Sequence, residues 1–357
     1  MRTLPVLFVC LFCVLPVVAG AEVKDIDAES VFVLGDRDSR VDARRIATLD
    51  AKRKALELAG TYVASLTEVK NYRLTKDDVA VYTAGIVETD VVYEEVRGTA
   101  SRPEMFVRVR CRIDGAVLAR QIANYGENDD LKAQLDSAVR ENEALRKERA
   151  EILRRMEGEK DKAKTEATRK QLDSVLTREE ANDETMTYWK RLAPRLFDRS
   201  TELSKAELDE ATAALDRIAR QDPKNSRARV LLASIYQRQE DYPKAEAEIR
   251  SALEQSPNSA LLHMKLGSLL KQNRKFDAAL QEFLTAQKGL GDHPHLLFHF
   301  ATTYQYLGNC PKALEYANRF MERIKRPDKP VSQAMKERVR RVLKECGRGE
   351  AEPARRR

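Results

Sequence analysis

The sequence contains four histidines, and three of them, His293, His295 and His299, fall with Cys310 in one stretch, GDHPHLLFHFATTYQYLGNCPKAL. Imidazole nitrogens and a thiolate are the ligands zinc prefers. His295 and His299 stand at i and i+4, a spacing that lets two rings share a metal from one helix. No acidic residue or further histidine stands at a matching offset in that helix, and Cys310 falls on the turn beyond it. Ordinary surface and edge histidines are therefore expected, with no metal site. The rest of the chain has no Gly-rich phosphate loop, no nucleophile elbow and no paired-cysteine site, so no catalysis and no cofactor are expected. A metal-binding protein or hydrolase built on the histidines is the outlying alternative.

Cysteine usage points the same way. The first residues, MRTLPVLFVCLFCVLPVVAGAEVKD, give a basic start, an apolar run from Leu4 to Val18 and small residues around Gly20. This is the pattern of a secretory signal peptide cut after Ala21, which predicts an exported, periplasmic location. Retention as an anchor is the competing reading, because Leu4 to Ala21 comes close to spanning length. Removal of that segment leaves Cys111, Cys310 and Cys346, one disulfide and one thiol in an oxidising compartment. In FVRVRCRI, Val107, Val109, Cys111 and Ile113 alternate with Arg108, Arg110 and Arg112, so Cys111 faces inward on a strand. Cys310 and Cys346 are the candidate pair, with two buried thiols as the alternative.

These residues must be positioned by more than one folding unit, since 357 residues exceed one ordinary core. The 64 basic and 57 acidic residues leave a net charge of +7 with the signs intermixed, which does not indicate nucleic-acid binding. The expected fold is multidomain and mainly α: an N-terminal α+β domain (22–126), a helical spacer (127–191), an α-solenoid (192–347) and a disordered basic tail (348–357). In the first unit, RVDARRIATLDAKRKALELAGTYVASL carries Val41, Ile46, Leu49, Leu56 and Val63 at helical spacing. A short helical stretch near KDDVAVYTAGI follows, then two antiparallel strands, TDVVYEEVRG and EMFVRVRCRID, and a closing helix, GAVLARQIANY. The strings DARRIATLDAKRKALELAGTYVAS and VKNYRLTKDDVAVYTAGIV resemble the N-terminal domain of the flagellar H-ring assembly protein and the related small outer-membrane lipoproteins. That resemblance implies a cell-envelope location and a non-enzymatic assembly role.

The spacer is almost pure helix former. Leu131, Leu135, Ala138, Asn142, Leu145, Ile152 and Met156 fall on heptad a and d positions, with Arg149 also at an a position. A parallel homodimer through 131–156 and a solvated spacer, roughly 90 Å long at about 1.5 Å per residue, both fit this pattern.

The solenoid is legible as a repeat. Columns 34 residues apart hold Ala211, Ala245, Ala279 and Ala313; Leu208, Tyr242, Phe276 and Cys310; and Ala233, Gly267 and Ala301. These units resemble the tetratricopeptide repeat. They run 226–259, 260–293 and 294–327, after a weaker unit at 192–225 whose first helix does not fit and before a closing helix at 330–346. Cys310 is thus first a packing position, and stacking of the closing helix would bring Cys346 within the roughly 7 Å between α-carbons that a disulfide requires.

The resemblance implies that the first helix of each unit lines a concave groove. Its columns place Arg227, Val230, Ser234, Gln237 and Arg238, then Leu261, Met264, Ser268, Lys271 and Gln272, then His295, Phe298, Thr302, Gln305 and Tyr306 in that lining. Cations, amides and apolar anchors without an acid predict a protein or peptide partner bearing acidic groups. The expected function is an exported envelope scaffold, with a structural or assembly component of a motility or surface apparatus as the alternative.

Overall fold

The computed structural model describes residues 23–35, 38–69, 79–80, 82–84, 87–114, 129–158, 161–197, 202–325 and 331–348. The expected signal segment, the helix at 115–125 and the basic tail lie outside these residues, as does most of the short helical stretch near 76–86.

Three strands rather than two form the N-terminal sheet: β1 (Val23–Val33), β2 (Glu88–Thr99) and β3 (Arg102–Asp114), in the order β1-β3-β2 with antiparallel neighbours. Strand β1 is the unanticipated one. Its acids meet the arginines of β3: Arg112 donates to Asp25 at 2.9 Å, Arg110 to Asp27 at 2.7 Å, and Arg108 to Glu29 at 2.8 Å. Those guanidinium bonds hold the Asp25 and Asp27 carboxyls below the usual carboxylate range. The β2–β3 turn needs Gly98, whose φ of 92° is left-handed and where a Cβ would meet the Arg102 carbonyl at 2.4 Å.

Helix α1 (Arg40–Val69) covers one face of the sheet. Its contact face differs from the apolar set expected. Ala43, Ala47, Ala51, Ala55 and Ala59, spaced four apart, are fully buried with Val63, whereas Val41 is exposed. Methyl groups let the helix lie close on the strands, so larger residues such as Ile46 and Leu49 turn to another neighbour. Cys111 is buried beneath this stripe, its thiol 3.7 Å from the Ala55 carbonyl and its pKa pushed up to about 11 by burial.

That other neighbour is the spacer, which is not one extended helix. Helices α2 (Asp129–Gly158) and α3 (Lys162–Phe197) fold back on each other antiparallel: Ile152 and Met156 near the end of α2 share a core cluster with Leu172 and Val175 early in α3, while Ser137 near the start of α2 borders the same cavity as Leu196 at the end of α3. The break was visible in the sequence as Gly158 followed by Asp161, whose carboxylate accepts from the Ala163 amide at 2.8 Å and caps α3. The heptad seam is consumed inside the monomer. Leu135, Ala138, Leu145, Ile152 and Met156 are all buried, against α3, α1 and the core they share. These side chains therefore offer no seam to a second copy, which removes the basis for the homodimer expected through 131–156. Arg149, anomalous in a coiled coil, reaches Asp50 on α1 at 2.6 Å. Arg45 of α1 holds Glu180 and Asp173 of α3 at 2.8 and 2.7 Å.

Helix α3 runs unbroken past residue 191, so hairpin and solenoid share an element. Its end, with Trp189, Leu192, Ala193 and Leu196 buried, packs on α4 (Lys205–Gln221) where the weak unit lacked a first helix. The repeats then follow as α5 (Ser226–Arg238) with α6 (Tyr242–Gln255), α7 (Ala260–Gln272) with α8 (Phe276–Leu290), and α9 (Pro294–Tyr306) with α10 (Cys310–Arg323). The turn inside each pair passes through a left-handed residue in one column: Glu240, Arg274 and Gly308.

The closing helix α11 (Gln333–Gly347) lies against α10, and a disulfide joins Cys310 to Cys346 with α-carbons 5.1 Å apart. The crosslink ties the first residue of α10 to the end of α11. Its removal as Cys310→Ser/Cys346→Ser is expected to cost about 2–4 kcal/mol. Urea unfolding of this variant beside the oxidised chain measures the loss; matching midpoints would mean the staple is idle.

Candidate partner-binding groove

Residues of α5 and α7, with His299 of α9, border one cavity, and the columns diverge in what they offer. A cavity of about 410 Å³ lies over the first two units, bordered by Gln237, Arg238, Met264, Gln272 and Arg227. Its wall is completed by Ser137 of α2 and Leu196 of α3, so the hairpin closes one flank of the groove. No carboxylate borders it among the described residues. Gln237 donates to Gln272 at 2.9 Å and accepts from Lys265 at 3.0 Å, a short amide ladder that fixes the lysine at the cavity wall.

Lys265 was missed by the column argument because it stands one residue after Met264, in the column of Leu231 and His299, outside the five positions that the repeat resemblance supplies. Ser137 and Leu196 carry no sequence signal at all. Their place depends on the hairpin folding back.

Arg227 departs from the expectation. It is 5% exposed, and burial pushes its pKa down. Its guanidinium meets Glu141 of α2 at 2.9 Å and the Asn182 side-chain oxygen of α3 at 2.7 Å, while Asn225 donates to Asn182 and Thr185. The arginine anchors the solenoid to the hairpin, and its charge is spent there.

Lys271 lies deeper than a groove cation should. Its ammonium meets His299 Nδ1 at 2.9 Å and donates to Thr302 at 3.1 Å, above the Phe298 ring at 5.1 Å. Burial, with Arg338 adding repulsion, pushes its pKa down to about 7. His299 is likewise held well below its ordinary value, first by burial and then by Lys271, and its ring stacks on Phe283 at 5.0 Å. Neutral His299 is thus an acceptor and a packing surface.

The third unit is occupied by the chain itself. Arg338 of α11 donates to Gln305 at 3.1 Å and to the Tyr306 hydroxyl at 3.3 Å, and Gln305 donates to Glu345 at 2.5 Å. Glu345 brings an acid to a lining expected to have none. Tyr306 stacks on Phe276 at 5.1 Å. His295 packs edge-on against His293, which opens α9. Among the described residues, no group of three or more His, Cys, Asp or Glu side chains converges as metal ligands would. Of the lining expected from the repeat, Gln237, Arg238, Met264 and Gln272 meet at the cavity with the anchored Arg227, and Lys271, Phe298, Gln305 and Tyr306 are held in intramolecular contacts.

The family comparison agrees with the repeat reading. Residues 203–269 match the tetratricopeptide repeat family. Bacteriophage adsorption protein A of Escherichia coli (strain K12) is 29% identical over 129 residues, 35% of this chain and 13% of that protein. The chain therefore spans a small part of that relative's length. Among solved structures, MamA aligns with a TM-score of 0.34 at 18% identity, covering 41% of this chain and 82% of that one. The pilF structure of Pseudomonas aeruginosa aligns with a TM-score of 0.39 at 17% identity, covering 50% and 73%.

Proposed function

Because this chain carries tetratricopeptide repeats, we propose that it is an exported, non-catalytic scaffold of the cell envelope that holds a protein partner against the first two units. The observation that carries this reading is the cavity beside α5, α7 and the hairpin. Arg238 and Lys265 supply cations, Gln237 and Gln272 supply amides, Met264 supplies an apolar surface, and no lining carboxylate repels an acid. A partner segment with an acidic residue beside an apolar one matches that chemistry. Export is supported by the apolar run from Leu4 to Val18 behind Arg2. A relative named for bacteriophage adsorption is in keeping with it.

The test is crosslinking and co-purification from native envelope extract with the wild-type chain and an Arg238→Glu/Lys265→Glu variant. Loss of a partner in the variant, with the thermal midpoint unchanged, is the expected outcome. Retention of every partner would move binding out of the groove. The alternative, an assembly component of a surface apparatus, draws on the open sheet of the N-terminal unit, which presents a surface of its own.

A further inference from the structure

Among the described residues the sheet has β3 at its centre, so β1 and β2 are both edges. An edge strand carries a row of unpaired backbone donors and acceptors, and proteins usually blunt it by shortness, charged side chains (lysine above all), proline or a bulge. Strand β2, ETDVVYEEVRGT, is 12 residues long and contains neither proline nor lysine. Its Val91, Val92, Tyr93 and Val96 are 42–46% exposed.

The charges distinguish the two edges. On the face away from α1, β3 presents Arg108, Arg110 and Arg112. The β1 acids Asp25, Asp27 and Glu29 are consumed by those arginines, and Lys54 donates to the Glu29 carbonyl at 3.1 Å. On the other side, Glu88 is in register with Arg112 and Asp90 with Arg110. The arginines have turned toward β1, however, and neither Glu88 nor Asp90 forms an ion pair among the described residues. The rows therefore read acid, base, acid, and the outer acids are held only by longer-range attraction, Asp90 to Arg112 and Glu88 to Lys190.

We propose that the free edge of β2 is a docking site for an extended basic segment of another protein, one that alternates Arg or Lys with apolar residues and adds to the sheet as a fourth strand. The cations of that strand complete the rows of Glu88 and Asp90, and its apolar residues cover Val91 and Val96 on the opposite face. A second copy of this chain is the wrong occupant, because β2 against β2, or β2 against β1, sets acid beside acid. The irregularity between Val91 and Tyr93 divides the edge into two short stretches. This limits the length of any one pairing and favours a partner held by charge as well as by backbone. The surface is separate from the groove and does not rest on it.

The native complement of β2 is β3, so the probe is a labelled peptide with the sequence of residues 103–114 carrying Cys111→Ser. Its binding to the full-length protein is followed by fluorescence anisotropy. Saturable binding is expected, weakened at least about tenfold by Glu88→Gln/Asp90→Asn and lost as salt rises. The groove variant Arg238→Glu/Lys265→Glu should leave it unchanged. The proposal is overturned if binding does not saturate, if a scrambled peptide of the same composition binds equally, or if neutralising the two acids has no effect. Sedimentation of the same variants covers the remaining occupant: edge-to-edge dimers that strengthen on neutralisation would assign the strand to a second copy.

Discussion

Gly267→Ala destabilises the solenoid by about 1–3 kcal/mol, although alanine is the better helix former. Propensity favours the substitution by at most about 1 kcal/mol in a helix interior. The clash opposes it, because the added methyl would lie 2.5 Å from Phe283 Cε1 and 2.6 Å from Cδ1. Phe283 cannot give way. It is fully buried, with the His299 ring stacked on it at 5.0 Å and Phe300 edge-on at 5.9 Å. The repeat itself suggests the remedy. At the equivalent columns the first unit pairs Ala233 with Ile249, and the third pairs Ala301 with Ala317 beside the stacked rings of Phe300 and Tyr316. Gly267→Ala combined with Phe283→Ile should therefore recover part of the loss, giving a coupling of about 0.5–3 kcal/mol. Urea midpoints of the wild type, both single variants and the double variant give that number. Strictly additive costs would show that the two positions are not a matched pair. Phe283→Ala has no such compensation and should cost about 3–5 kcal/mol.

The same columns explain what could be read from sequence. A repeat writes each packing position three times, so Ala245, Ala279 and Ala313 identified the helix pairs before any contact was known. The alternation through Arg108, Arg110 and Arg112 likewise fixed the face of β3. What escaped was everything that depends on elements distant in sequence. Strand β1 carries three acids among its eleven residues, and three arginines of β3 receive them. The alanine face of α1 is weakly apolar, and the larger Ile46 and Leu49 drew attention although they belong to a second interface. The heptad of α2 was correctly apolar but wrongly partnered: period 3.5 shows that a seam is buried, and only the end of the helix at Gly158 hints against what. The groove suffered in the same way. Its columns came from the repeat, while the hairpin that walls it and the closing helix that fills its far end did not.

Arg227 is where these distant elements meet, and its replacement by alanine is expected to cost about 3–5 kcal/mol. The guanidinium is the shared partner of Glu141 on α2 and Asn182 on α3. Truncation leaves a carboxylate, 29% exposed at its side chain, facing the protein without its cation and strips one donor from a buried amide network. Removing both charges is a different matter. Arg227→Met with Glu141→Leu replaces a desolvated pair by apolar contact, and buried pairs exchanged in this way often leave stability unchanged or improved. Hydrogen exchange separates the anchoring role from a ligand-binding one. In Arg227→Ala the amides of α2 and the start of α5 should exchange faster than those of α9 and α10, because the hairpin loosens while the far end of the solenoid stays packed. Uniform protection with loss only of a partner would return Arg227 to the groove as a ligand residue. Faster exchange confined to the hairpin junction would mean that the wall of the cavity, and with it the shape offered to any partner, is held by this one side chain.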